Sequence, residues 1–120
     1  MPSAMKIIGQ SELSTVPFDT TLYTVPQITD LQLGVGSRFQ TLITSIVLCN
    51  RNGSSNTYWI RVVPYGASAG DEHIVFNQVA LTTNATDIIS LGLTMESGDT
   101  LDAYAGAVDL SVSVFGIETY

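Results

Sequence analysis

The sequence predicts an all-β chain: an antiparallel two-sheet β-sandwich of jelly-roll or immunoglobulin-like type, with about seven to eight strands. Apolar residues alternate with a period of two almost from end to end, which gives nearly every segment a core-facing side. Clusters of Gly, Asn, Asp and Ser break this alternation roughly every 10 to 15 residues, where turns belong. The stretches without alternation are short or carry glycine, so no helix can be placed.

Residues 1–19 read as an N-terminal arm and residues 20–120 as a single sandwich domain. The arm carries Ile7, Ile8, Leu13, Val16 and Phe18 but no strong strand, unless Lys6 to Gln10 pairs as an eighth. Residues 20–25 make a short strand that Pro26 stops, because proline has no N–H to extend a ladder. Residues 27–37, with Gly34 and Gly36, are the expected long loop or crossover. Its Leu31, Leu33 and Val35 join the apolar residues of the arm as candidate interface positions, since ordering such segments needs a surface to pack on.

Residues 38–50 form the longest strand candidate, with Phe39, Ile43, Val47 and Cys49 on one face and Leu42, Ile46 and Leu48 on the other. The Asn52-Gly53 step that follows accepts positive φ and joins antiparallel strands. In residues 58–63, Tyr58, Ile60 and Val62 alternate with Trp59, Arg61 and Val63, and Pro64 ends the strand. A connection rich in glycine and alanine, residues 64–71, leads to strands expected over 72–81, 88–91 and 101–105. Leu110, Val112 and Val114 then open a final strand that runs on to Ile117 and must pair centrally or at least firmly. The expected core is Phe39, Ile43, Val47, Trp59, Ile74, Phe76, Leu101, Val112 and Val114.

A length of 120 residues makes one domain with one core. Four basic residues, Lys6, Arg38, Arg51 and Arg61, face 11 acidic ones, for a net charge of −7 from only 12% charged residues. Nothing clusters the positive charge that phosphates or anionic lipids require, so neither nucleic acid nor membrane is an expected partner. At a mean hydropathy of +0.30, so few charges leave sizeable neutral surface patches. Self-association or assembly with another protein would cover them. Residues 1–10 hold no apolar stretch of signal-peptide length and no window reaches the length of a membrane span, which predicts a soluble chain made in a cytoplasm. On that expectation the sequons Asn52-Gly53-Ser54 and Asn84-Ala85-Thr86 read as turns.

The residues that could carry chemistry are few. Cys49 is the single cysteine, so no disulfide forms within the chain, and its apolar setting makes it a small hydrophobe rather than a reactive thiol. His73 is the single histidine, which removes every triad or metal set built on two imidazoles. In Asp71-Glu72-His73 only Asp71 and His73 would share a strand face. Gly34-Val35-Gly36 lacks the third glycine and the following helix of a nucleotide loop. Asp87, Asp99, Asp102 and Asp109 stand in or beside turns, where three carboxylates could hold calcium, but at no recognised spacing; solvated turn residues are the simpler reading. Trp59 with Tyr58, Tyr65 and Tyr104 would make a sugar-binding platform if exposed, whereas a tryptophan in a central strand belongs more often to a core. No catalytic residue, metal or cofactor is expected.

Several phrases resemble a known family. Thr21-Leu22-Tyr23-Thr24-Val25-Pro26, Ser45-Ile46-Val47-Leu48-Cys49-Asn50-Arg51 and Arg61-Val62-Val63-Pro64-Tyr65-Gly66-Ala67 are similar to strand and turn signatures of short virion structural proteins of tailed bacteriophages. So are Asp71-Glu72-His73, Ser97-Gly98-Asp99, Ala103-Tyr104-Ala105 and Val114-Phe115-Gly116-Ile117-Glu118. The resemblance implies a non-enzymatic building block of the particle, a capsid decoration or cement protein that stabilises the shell. It implies a homo-oligomer, with a trimer favoured, in contact with the major capsid protein or other virion proteins, located in the virion after synthesis in the host cytoplasm. A small tail, baseplate or fibre-associated protein is the alternative, and a carbohydrate-binding β-sandwich module a second one.

Overall fold

The period-two alternation becomes eight strands in a computed structural model, which describes residues 3–27 and 39–119. In chain order they are β1 (Ser3–Glu12), β2 (Thr20–Thr24), β3 (Gln40–Asn50), β4 (Asn56–Val63), β5 (Ile74–Leu81), β6 (Thr86–Glu96), β7 (Thr100–Ala105) and β8 (Leu110–Thr119). A 3-10 turn, Asp71–His73, precedes β5, so the strand expected from residue 72 begins at Ile74. One sheet has the order β1-β8-β3-β6 and the other β2-β7-β4-β5, with every pairing antiparallel. The pairing is nested: first with last, second with seventh, third with sixth, fourth with fifth. That order is the eight-stranded jelly roll, and it resolves the choice the sequence left open. The final strand does pair centrally, between β1 and β3.

The two sheets enclose one core. From the first sheet come Ile43, Ile46, Leu48, Met95, Leu110, Val112 and Val114, and from the second Leu22, Tyr58, Ile60, Leu81 and Leu101. Ala103 and Ala105 on β7 lie directly opposite Ile60 and Tyr58 on β4, small beside large, as interdigitation requires. Two buried asparagines tie strand ends to turns. Asn50 Nδ2 donates to the carbonyls of Ser54, Leu81 and Thr82 at 3.0–3.1 Å. Asn56 Nδ2 donates to the Ala107 carbonyl at 2.9 Å, and its Oδ1 accepts from the Ala107 N–H at 2.8 Å.

Three expectations need correction. Residues 3–12, expected to lie in an arm without a strong strand, form β1, which pairs with β8 from Ser3 and Thr119 to Glu12 and Ser111, and Leu13 N–H extends the ladder to the Leu110 carbonyl. Ile8 sits at a register shift between Ile7 and Gly9, which obscures the alternation that would have marked the strand. Second, β3 does not keep one parity. A bulge at Thr44 turns Thr41 and Ile43 inward before it but Ile46, Leu48 and Asn50 inward after it. Val47 and Cys49 therefore face outward, half-buried, and Thr44 Oγ1 donates to the Phe115 carbonyl at the irregularity. Third, Trp59 and Ile74 are only half-buried, and Trp59 belongs to the outer face of its sheet. Of the expected core, Ile43, Leu101, Val112 and Val114 are buried, while Phe39 and Phe76 pack against the core as half-buried neighbours.

Candidate functional site

Each sheet presents an outer face, and the two differ in chemistry. On β1-β8-β3-β6 the outward rows follow from the register: Ile7, Phe115 and Ser45 in one, Ile117, Leu42 and Thr94 in another, Ser113, Val47 and Ile88 in a third. Ile7 is 52% exposed, Leu42 37% and Ile88 70%. Charges stand only at the two ends, where Glu12 pairs with Arg51 and Glu96 accepts from Gln40 Nε2 at 3.0 Å. Between those ends, no outward side chain among the described residues is charged. A band of Ile, Leu, Val, Phe, Ser and Thr this wide has the makeup of an interface rather than of a solvated surface.

The outer face of β2-β7-β4-β5 holds a cleft of about 680 Å³, lined among others by Phe18, Trp59, Arg61, Asp71, Asn77 and Tyr104. Trp59 on β4 lies directly opposite Tyr104 on β7, and their rings stack at 4.3 Å and 1°. Phe18, from the β1–β2 connection, meets Tyr104 edge-on at 4.7 Å and 77°. Its φ of 50° is left-handed, a strained conformation for a bulky residue that packing must hold in place. The Arg61 guanidinium lies 4.2 Å from the centre of the Phe18 ring, and its Nε donates to Asp102 Oδ2 at 2.9 Å. Asp102 is buried, and its Oδ1 has no hydrogen-bond partner among the described residues. On the far side of Trp59, β5 bulges at Asn77 and Gln78, where Gln78 takes φ 50°, and Asn77 lines the cleft. The Ala67–Gly70 stretch, without bulky side chains, keeps that side open.

The residues singled out from sequence scatter. Tyr58 is buried in the core, where its hydroxyl donates to Asp87 at 3.0 Å, and Tyr65 is 68% exposed outside the cleft, so of the four aromatics only Trp59 and Tyr104 come together. His73 Nδ1 accepts from the Gly70 N–H at 3.2 Å inside the 3-10 turn. Asp99 accepts from the Tyr65 and Glu96 N–H groups at 2.9 Å each, holding its turn together. With Asp87 on Tyr58 and Asp102 on Arg61, the four aspartates do not converge, and no cluster of three metal-ligating side chains occurs among the described residues. Of the candidate interface residues, Ile7 and Val16 are exposed, Leu13 and Ile8 pack into the chain's own core, and Phe18 belongs to the cleft. Leu31, Leu33 and Val35 lie outside the described residues. Sequence reasoning missed Phe18 and Arg61 as cleft residues. The usable signal was that Arg61 shares its strand parity with Trp59, and a lone arginine marks an outer face.

No protein-family model matches the chain, and no curated protein matches it. Among solved structures, a chain in "Structure of infectious bursal disease virus Gx strain" superposes with a TM-score of 0.50 at 11% identity. The match covers 98% of this chain and 30% of that one, so this protein spans under a third of its structural neighbour. At that identity the likeness is one of fold.

Proposed function

We propose that the chain is a non-enzymatic structural protein of a viral particle, attached to the shell as a decoration protein through the outer face of β1-β8-β3-β6. The observation that carries this reading is the uncharged band between the Glu12–Arg51 and Gln40–Glu96 ends, with Ile88 70% exposed within it. The jelly roll supports it as an architecture that recurs in viral capsid domains, as does the fold likeness to a chain from a virus structure. Fold alone does not assign function, so the surface bears the weight. An acidic, Thr-rich sandwich suits a particle exterior, which favours decoration over a tail part, and a homotrimer would bring three such bands toward one symmetry axis.

Copy number in purified particles tests the proposal. Regularly repeated copies over the shell, with capsids that turn fragile when the protein is missing, are expected. A few copies confined to a tail would overturn the decoration assignment, and absence from particles would overturn the virion reading as well.

A further inference from the structure

We propose that the cleft on the outer face of β2-β7-β4-β5 is a binding site for a neutral saccharide. The inference is independent of the shell-attachment reading: it concerns the opposite sheet, which stays open when the uncharged band is covered.

Three features of the cleft point to this ligand class. Its aromatic part is packed by the chain's own contacts: Trp59 and Tyr104 stack, Phe18 closes on Tyr104, and Arg61 is held over Phe18 by Asp102. A preformed apolar wall lowers the ordering cost of binding. Around that wall stand polar groups with no hydrogen-bond partner among the described residues: the Trp59 indole N–H, the Tyr104 hydroxyl, the Arg61 Nη groups, the Asn77 amide and the Asp71 carboxylate. They mix donors and acceptors, as sugar hydroxyls do, while the apolar C–H face of a pyranose fits an aromatic surface. The third feature is charge. The one cation in the lining is already neutralised by Asp102, Asp71 adds a carboxylate, and the chain carries −7 overall, so phosphate, sulfate and sialic acid are disfavoured. A volume of about 680 Å³ lies within the usual range of ligand sites, about 300–1,000 Å³.

Trp59 is the single tryptophan, so its emission reports on the cleft alone. The experiment screens the full chain against an array of neutral oligosaccharides, sialylated and sulfated glycans, and proline-rich peptides. The strongest binder is then titrated by Trp59 fluorescence and saturation-transfer NMR. Binding of neutral glycans with a shift in Trp59 emission is expected. Asp71→Ala and Asn77→Ala, both at exposed positions, should weaken it tenfold or more with the circular dichroism spectrum unchanged. The two variants should still associate with particles as wild type does. Binding of only anionic glycans or only peptides, no saturation transfer from any neutral sugar, or affinity untouched by both variants would overturn the proposal.

Discussion

Replacing Asn50 with leucine keeps the branched skeleton of a fully buried side chain and puts methyl groups in place of its polar atoms. The asparagine sits where β3, the turn after it and the end of β5 meet, and so links the two sheets. Its Nδ2 spreads two hydrogens over the carbonyls of Ser54, Leu81 and Thr82, at 3.0, 3.1 and 3.1 Å, and its Oδ1 accepts from the Asn52 N–H at 3.0 Å. A net hydrogen bond contributes about 0.5–1.5 kcal/mol, and a buried carbonyl left without its donor costs about 1–3 kcal/mol. The Leu81 bond is buried and the others are partly so, which places the loss at about 3–4 kcal/mol. At about 3–5 °C per kcal/mol for a domain of this size, Tm should fall by about 10–20 °C. Urea unfolding followed by circular dichroism measures it. Asn50→Asp preserves the acceptor toward Asn52 but sets a carboxylate against three carbonyls, so it should do no better than leucine. A loss below about 1 kcal/mol in both variants would refute the claim that this side chain joins the sheets.

Two further predictions concern the core. Burial first, and then a hydrogen bond to Glu118 for Tyr23 and to Asp87 for Tyr58, pushes both phenols well above their usual range. The unfolded chain therefore releases these protons near pH 10 while the folded chain retains them, so their stabilisation is complete below pH 10 and is lost as pH rises beyond it, by up to about 1.4 kcal/mol per pH unit for each phenol. Urea midpoints from pH 8 to 11.5 should fall steeply above 10 for wild type and less steeply for Tyr23→Phe with Tyr58→Phe; parallel curves would exclude the two residues as the cause. Deleting Thr44 should leave the chain folded, because it removes the extra residue of the bulge and strict alternation from Ile43 then still turns Ile46, Leu48 and Asn50 inward; loss of dispersed NMR amide signals in the deletion would contradict this parity.

The strands and the sandwich were legible because the alternation of Leu110, Val112 and Val114, or of Tyr58 and Ile60, is the direct imprint of a half-buried sheet. The choice of jelly roll was not, since strand count and spacing are shared by several sandwiches and only long-range pairing separates them. Irregularities hid in the same way. Nothing in Thr41-Leu42-Ile43-Thr44-Ser45-Ile46 signals that Thr44 is the extra residue, so Val47 and Cys49 were placed on the wrong side. At Trp59 the apolar character of both faces of β4 favoured the core, although Arg61 on the same parity argued for the outside. The cleft was the least legible feature, because Phe18, Trp59, Asn77 and Tyr104 come from four separate segments that only the sheet order brings together.

Ile88→Glu tests whether the uncharged face of β1-β8-β3-β6 attaches this protein to a viral shell, as proposed. At 70% exposure the substitution leaves the core untouched, so the variant should unfold at the wild-type midpoint. Its incorporation into purified particles, quantified beside wild type, should fall at least tenfold, while moderate salt should not release the wild-type protein. Full incorporation of the folded Ile88→Glu protein would contradict the account.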